Sequence, residues 1–168
     1  MMIECGKGAV RDTLTVFAAF FRFFRRKKHK KCQEKTHCRL LRQPRLLYTI
    51  GGKERMIGNY AFRLGEESGG STIVGFENHS GRTFLGTGVR PLGKIIKGYG
   101  NNGKDRTEGV RYKNAFCTYS HSPVLPKNPA FADTLIETAL KRKYGTCSLD
   151  PLQDNFERLA HDTVLKQI

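Results

Sequence analysis

A run of ten residues, Val-Gly-Phe-Glu-Asn-His-Ser-Gly-Arg-Thr at positions 74–83, is the feature that most restricts what this chain can fold into. It overlaps residues 71–76, which are rich in β-branched side chains and therefore predict a strand. Two shorter segments follow, Gly-Tyr-Gly-Asn-Asn-Gly at positions 98–103 and Tyr-Ser-His-Ser-Pro at positions 119–123. Three such segments in a fixed order are far more specific than a lone glycine motif, so they indicate one particular kind of domain.

Charge divides the 168-residue chain into two unequal parts. The net charge is +15, and residues 1–46 hold 13 Lys/Arg against 3 Asp/Glu, a net of +10. Residues 47–168 hold 17 Lys/Arg against 12 Asp/Glu, a net of +5. The length suits one domain of ordinary size. We therefore interpret residues 1–46 as a separate basic segment and residues 47–168 as the folded domain.

The basic segment leaves two interpretations open. Its apolar piece, residues 16–24, is interrupted by Arg22 and is shorter than the ~20 residues that span a bilayer. The basic run at residues 25–31 follows this piece, whereas a secretory signal has its basic residues first. The segment is either a surface anchor of Phe and Lys/Arg side chains or a stretch without regular structure.

The five cysteines predict a reducing, cytoplasmic compartment. Their number is odd and no Cys-x-x-Cys pair occurs, which argues against a disulfide framework. His29, Cys32, His37 and Cys38 are close in sequence, but their spacing fits no standard zinc pattern. We therefore predict no metal site.

Short strands and two helices are predicted within residues 47–168. The strands are expected over residues 56–62, 71–76, 92–99, 109–112 and 115–119. A first helix has Asn128 as N-cap, Pro129 in its first turn and Gly145 at its end. Apolar residues at helical spacing predict its buried stripe, namely Phe131, Ala132, Leu135, Ile136, Ala139 and Leu140. A last helix is predicted to open at Asp150-Pro151, with an inner face of Leu152, Phe156, Leu159, Ala160 and Val164.

In their order, the three segments resemble the C-terminal half of GatD-type glutamine amidotransferases, which are related to the CobB/CobQ-like enzymes. The resemblance covers about residues 47–144. It implies a class I glutamine amidotransferase-like, three-layer α/β domain that is incomplete at its N-terminus. It also implies a glutaminase subunit that supplies ammonia to a Mur-ligase-like partner, MurT, during peptidoglycan synthesis. That partner uses ATP to amidate D-glutamate of lipid II to D-isoglutamine, so no cofactor and no nucleic acid is expected in this subunit.

The resemblance assigns chemistry to two residues. The family pattern Gly-Thr-Tyr-Leu-His-Gly-Pro is similar to Cys-Thr-Tyr-Ser-His-Ser-Pro at positions 117–123, which makes His121 the expected catalytic histidine. Residues 48–55 resemble the family segment that ends in the substrate-binding arginine, which makes Arg55 the expected clamp for glutamine. His79 receives no chemical role and is equally well a hydrogen-bonded loop anchor. Asn101 and Asn102 are most simply turn residues.

The nucleophile of this family has no counterpart in the chain. A thiolate must attack the carboxamide of glutamine to form a thioester, and the family carries that cysteine in a Cys-Gly-Gly-Tyr/Phe-Gln run. By the family's spacing the run falls on residues 18–24, which contain no cysteine. Cys5, Cys32, Cys38 and Cys117 lie in unsuitable contexts, so we expect the chain to be impaired as a glutaminase.

A shifted reading frame accounts for the unusual N-terminal segment. Codons for Phe17-Ala18-Ala19, read from another frame, can encode Cys-Gly, so residues 1–46 are hypothesised to be a frame-shifted or disordered segment. Sequencing the gene tests this, since the hypothesis requires a Cys-Gly-Gly-like run in another frame.

The alternative function is that of a basic binding protein, in which residues 1–46 are a genuine part of the protein. Residues 20–45 would then attach a protein without enzymatic activity to a membrane or a nucleic acid. Binding with a steep salt dependence would favour this alternative, whereas detectable glutaminase activity would favour the first.

Overall fold

A computed structural model describes residues 47–121, 123–146 and 148–168. The basic segment, residues 1–46, therefore lies outside the described residues, and so does the hypothesis about its origin. In chain order the strands are β1 Leu47–Leu64, β2 Thr72–Leu85, β3 Gly93–Lys97, β4 Thr107–Glu108, β5 Val110–Tyr112, β6 Ala115–Cys117 and β7 Ser120–His121. The helices are α1 Pro129–Tyr144 and α2 Asn155–Lys166, and a short 3₁₀ turn, Glu66–Ser68, links β1 to β2.

The strands form one five-stranded sheet and one small ribbon. The sheet has the order β4-β3-β1-β2-β7, and β5 pairs with β6 in the ribbon. Every strand pair in the described residues is antiparallel. The long hairpin of β1 and β2 forms the middle of the sheet, and its register shifts between Gly51 and Met56, where β1 carries extra residues. Both strands extend well beyond the lengths that their sequences predicted.

The core lies between one face of the sheet and helix α1. Tyr60, Phe62 and Ile73 supply its sheet side, and each is fully or almost fully buried. Helix α1 contributes Phe131 and Leu135, which are one helical turn apart and so face the same way. The ring of Phe131 packs edge-on against Phe116 of β6, with centroids 6.4 Å apart. A sheet with helices confirms the predicted α/β class.

Helix α1 has the predicted limits but a narrower buried face and a different cap. It begins at Pro129 and ends before Gly145, as predicted. Asn128 precedes it, but its side chain makes no capping hydrogen bond. Instead its amide bonds the backbone of Val74 in β2 through both atoms, at 2.9 and 2.8 Å. Ile136 is half exposed, so the predicted stripe was too wide.

The prediction for the last helix was wrong in its start and in its inner face. Helix α2 begins at Asn155 rather than at Asp150. Its attachment is polar, because His161 Nδ1 lies 3.0 Å from the Lys127 carbonyl oxygen. The opposite side of the helix faces outward, where Phe156 and Leu159, which were predicted to face inward, are exposed by 84% and 64%. Leu152 lies before the helix and is exposed by 77%. Neither helix of the described residues is long and apolar enough to cross a bilayer.

Candidate functional site

The three sequence segments that are far apart in the chain meet around β2. Residues 74–83 form most of that strand. The 98–103 loop docks on it because Thr83 N–H donates to the Asn101 carbonyl oxygen at 2.7 Å and Arg82 Nη1 donates to the Asn102 carbonyl oxygen at 3.0 Å. The third segment joins through β7, where Phe76 pairs with His121 and Glu77 with Ser120. The structure therefore brings all three segments into one region.

His121 belongs to a row of side chains across three strands. Asn59 of β1 pairs with Phe76 of β2, and Phe76 pairs with His121 of β7. Directly opposed residues of antiparallel strands place their side chains on the same face. Phe76 is exposed and Asn59 is exposed, whereas the neighbouring Glu77 is buried, so this row lies on the outer face of the sheet. The His121 side chain is accordingly half exposed.

Arg55 reaches the same face of the sheet. Its Nε donates a hydrogen bond to Asn78 Oδ1. Asn78 is two positions from Phe76 in β2, and residues two apart in a strand share a face. The Arg55 guanidinium, bound to Asn78, and the strand position of His121, paired with Phe76, thus lie on the same side of β2. Asn78 and Phe76 are two residues apart along that strand. A common substrate pocket requires this arrangement, while the roles of the two residues stay predictions.

A cavity of about 450 Å³ lies between β1 and the end of β3, next to the row formed by Asn59, Phe76 and His121. Its volume falls within the range of small-ligand sites, roughly 300–1,000 Å³. Asn59, the β1 member of the row, is one of its lining residues, and Lys97 and Arg106 add positive charge. The buried Glu77 lines it as well, so the cavity is not confined to the exposed face.

The inner face of the same strands holds a buried carboxylate that orders the glycine loop. Glu77 is 1% exposed and accepts hydrogen bonds from the backbone N–H groups of Tyr99 and Gly100, at 2.8 and 3.0 Å. Its other neighbour is His79, whose Nε2 lies 3.5 Å from Glu77 Oε2. Because both oxygens of Glu77 accept from the 98–103 loop, the carboxylate fixes this loop against β2.

A second buried carboxylate, Glu108, holds the residues that lead into His121. Glu108 is fully buried, and its Oε1 accepts from Thr118 Oγ1 at 2.7 Å, Tyr119 N–H at 2.8 Å and Tyr60 Oη at 3.1 Å. Burial raises the pKa of the Glu108 carboxyl, and the hydrogen bonds partly oppose this effect. Burial also raises the pKa of the Tyr60 phenol, with the Glu108 charge adding to the shift. Tyr60 therefore stays a neutral donor.

His79 is an anchor, as one of its two interpretations predicted. Its Nδ1 lies 2.9 Å from the Gly81 carbonyl oxygen, and its ring stacks on Tyr119 with centroids 3.7 Å apart. The Tyr119 hydroxyl continues the contact to Thr83 Oγ1 at 2.7 Å. The stack thus joins β2 to the segment before His121.

Asn101 and Asn102 are turn residues, as predicted, and their side chains also attach the loop to the rest of the domain, which the sequence did not indicate. Both are almost completely buried. Asn101 Nδ2 donates to the Gly109 carbonyl oxygen at 2.9 Å, and Asn102 Nδ2 donates to the Thr83 carbonyl oxygen at 2.9 Å. Their side chains therefore bind the loop to its neighbours.

Cys117, the cysteine that the structure describes, is a poor nucleophile. It lies in β6 and is half buried, and burial raises the pKa of its thiol. A raised pKa keeps the thiol protonated, whereas attack on an amide needs the thiolate. The described part of the chain also contains no group of His, Cys, Asp or Glu side chains that could hold a metal ion.

Sequence reasoning missed Tyr60 and the two carboxylates, Glu77 and Glu108. A weak signal exists for Glu77, because it is the one acidic residue within the ten-residue run. No signal exists for Glu108, which stands in a short Thr-Glu-Gly segment without periodicity and is buried by contacts with residues 60 and 118–119.

The fold and the converging segments define a class of protein that sequence comparison confirms. A model of the CobB/CobQ-like glutamine amidotransferase domain matches residues 44–129, slightly more than half of the 168-residue chain. The chain belongs to this family, and the predicted resemblance is confirmed.

Two GatD subunits are similar to part of this chain. The chain is 47% identical over 99 residues to the GatD subunit of the glutamine-hydrolysing lipid II isoglutaminyl synthase of Streptococcus pneumoniae, a match that covers 58% of this chain. It is 46% identical over 96 residues to the GatD subunit of Staphylococcus aureus, with 57% of this chain covered. The matched stretch spans 37% of the length of either relative.

Proposed function

We propose that residues 47–168 are the proton-shuttling and substrate-binding part of a glutaminase subunit that serves lipid II amidation. Family membership and the similarity to two GatD subunits support the reaction class. The single observation that carries the site is the shared face of β2, which joins the strand position of His121 to the guanidinium of Arg55. In this proposal that face receives L-glutamine.

The proposed chemistry gives each of these residues one task. A cysteine thiolate attacks the glutamine carboxamide, so that a C–S bond forms and the C–N bond breaks. The His121 imidazole accepts the thiol proton and delivers it to the leaving nitrogen, which departs as ammonia. Water then cleaves the thioester and releases glutamate. Arg55 binds the substrate's α-carboxylate through its planar guanidinium.

The chain as it stands lacks the first participant in this sequence. Residues 18–24 contain no cysteine, and the Cys117 thiol is held protonated. We therefore expect this chain to open glutamine covalently very weakly or not at all.

The proposed partner is a Mur-ligase-like subunit. In this proposal it receives ammonia, consumes ATP and amidates D-glutamate of lipid II, so that the subunit itself needs no cofactor. The reaction would take place in the cytoplasm, where ATP is available and cysteines stay reduced.

Ammonia release from L-glutamine tests the proposal. We expect the chain, with or without a MurT-like subunit, to release little or no ammonia. Robust turnover that H121A abolishes would support the role of His121 and show that another cysteine of the chain is the nucleophile. We also expect the chain and that subunit to co-elute on size-exclusion chromatography. Turnover that persists in H121A would overturn the role of His121, and separate elution would overturn the choice of partner.

A further inference from the structure

We propose that Glu108 is a positioning residue for His121, acting through the three residues that precede it. This inference rests on the proposed role of His121. It assigns a function to a buried carboxylate on the inner side of the sheet.

The hydrogen bonds of Glu108 converge on the segment that enters β7. Its Oε1 accepts from the Thr118 hydroxyl at 2.7 Å and from Tyr119 N–H at 2.8 Å. The Thr118 hydroxyl oxygen in turn accepts from Ser120 N–H at 3.0 Å. One carboxylate oxygen therefore sets the backbone at residues 118, 119 and 120, immediately before the proposed catalytic histidine.

Tyr60 closes the network from the centre of the sheet. Its hydroxyl donates to Glu108 Oε1 at 3.1 Å and lies 2.7 Å from Ser120 Oγ. Tyr60 is fully buried in β1, so it ties this network to the rigid core. Ser120 is paired with Glu77 of β2 on the same inner face. Since adjacent strand residues point to opposite faces, fixing Ser120 inward directs the His121 side chain outward.

Burial of a carboxylate at this place costs free energy, so its hydrogen bonds must contribute something in return. Glu108 is 0% exposed, and its Oε2 has no hydrogen-bond partner among the described residues. No basic side chain is paired with it in residues 47–121, 123–146 and 148–168. What the carboxylate contributes is one oxygen that accepts three donors at once, which fixes the direction of the β7 entry.

Amide hydrogen exchange tests the positioning directly. The variant E108A removes the acceptor, and we expect the Tyr119 and Ser120 amides to exchange at least ~10-fold faster, while α1 amides keep their rates. The variant E108Q keeps an oxygen acceptor for the same three donors, so we expect near wild-type exchange. Equal rates in wild type and E108A, or equal losses in E108Q and E108A, would overturn the proposal.

A second readout separates positioning from general loss of structure. The response of the His121 and Arg55 side-chain NMR signals to L-glutamine is compared in wild type and E108A. We expect E108A to diminish the His121 response and to preserve the Arg55 response, because Arg55 is held by Asn78 rather than by this network. An equal loss at both residues would contradict positioning. If wild type responds at neither residue, the proposed function fails while the exchange experiment still decides the role of Glu108.

A milder variant covers the case in which E108A does not fold. T118V removes the hydroxyl bridge between Glu108 and Ser120 N–H with little change of shape. We expect faster exchange at Ser120 in T118V. T134V is the matched control, because the Thr134 hydroxyl bonds the Ala130 carbonyl oxygen within α1. A Ser120 amide that exchanges alike in T118V and T134V would contradict the proposal.

Discussion

At the scale of single residues, Gly75 in the ten-residue run leaves room for Tyr60 of β1 to contact Ser120 of β7. A Cβ atom at this position would lie 2.5 Å from Ser120 Oγ and 2.9 Å from Tyr60 Cε1. Those two side chains make the 2.7 Å hydrogen bond that links Tyr60 to Ser120. The glycine is therefore required by the close approach of its neighbours.

Gly75→Ala should destabilise the fold by about 1–3 kcal/mol, the usual cost of inserting a methyl group into a packed site. Gly51→Ala is the matched control, because no atom lies within 4 Å of a Cβ built at Gly51. Its stability should change by less than about 1 kcal/mol. Urea unfolding followed by circular dichroism measures both. Equal midpoints for the two variants would show that the crowding around residue 75 is relieved without cost.

The buried carboxyl of Glu108 should make stability fall as pH rises. Its pKa is raised in the folded state from the ordinary value of 4.5, so the folded protein keeps this proton at pH values where the unfolded chain has lost it. Because the folded state then binds more protons, the free energy of unfolding decreases as pH increases through this interval. The stability of wild type relative to E108Q should thus decline from about pH 4.5 upward. Urea unfolding of both proteins across this interval measures the difference, and a difference that grows with pH would contradict the expected sign.

At the scale of elements, Asn128 matters more for attaching α1 to the sheet than for starting the helix. Its Oδ1 accepts from Val74 N–H at 2.9 Å, and its Nδ2 donates to the carbonyl oxygens of Val74 at 2.8 Å and Val124 at 2.6 Å. The side chain thereby completes the backbone hydrogen bonding of β2 at its buried end. Helix α1 is oriented over the core by this contact together with Phe131.

Asn128→Ala should lower the free energy of unfolding by about 2–4 kcal/mol, because it leaves buried backbone groups of Val74 without partners. Asn114→Ala, at an exposed turn position between β5 and β6, should change it by no more than about 0.5 kcal/mol. Chemical denaturation of the two variants gives the comparison. If Asn128→Ala is as stable as Asn114→Ala, the contact does not hold the helix.

Loss of an aromatic side chain should lower the free energy of unfolding strongly in α1 and hardly at all in α2. Phe131 of α1 is 0% exposed, and Phe131→Ala should cost about 3–5 kcal/mol. Phe156 of α2 is 84% exposed, and Phe156→Gln should change stability by less than about 0.5 kcal/mol. Thermal unfolding of both variants checks this. A large loss in Phe156→Gln would mean that the apolar side of α2 is covered.

Local sequence determined some elements and long-range contacts determined others. The limits of α1 were predictable, because Pro129 and Gly145 act within one turn of the helix ends. The full length of β1 was not, since residues 47–51 are held in the strand by pairing with residues 81–85, far along β2. The start of helix α2 was predicted too early, because Asp150-Pro151 has the residue types of a helix N-terminus, whereas the helix begins after Asp154.

At the scale of the whole molecule, the candidate site is assembled from segments that only the fold brings together. The family resemblance predicted His121 as the catalytic histidine and Arg55 as the clamp for glutamine, and no local pattern in either segment indicates the other. Their shared face follows from the pairing of β1, β2 and β7. Glu108 and Tyr60 were missed because their burial and hydrogen bonds join residues that lie far apart in the sequence. The net charge of +10 in residues 1–46 lies outside the described residues, and the alternative of a basic binding protein stays a prediction that salt-dependent binding would test.

Titration of the isotopically labelled chain with L-glutamine tests the central claim most directly. The claim is that the face shared by His121 and Arg55 receives this amino acid. L-Asparagine, one methylene shorter, is the ligand control, and Arg55→Lys is the protein control, because it keeps the charge but loses the planar fork.

The account predicts saturable shifts of both the Arg55 Nε–H and the His121 ring signals with L-glutamine. It predicts smaller shifts with L-asparagine and weaker binding in Arg55→Lys. Shifts that appear at neither residue up to millimolar glutamine would contradict it. So would a His121 shift with the same glutamine affinity in Arg55→Lys as in wild type.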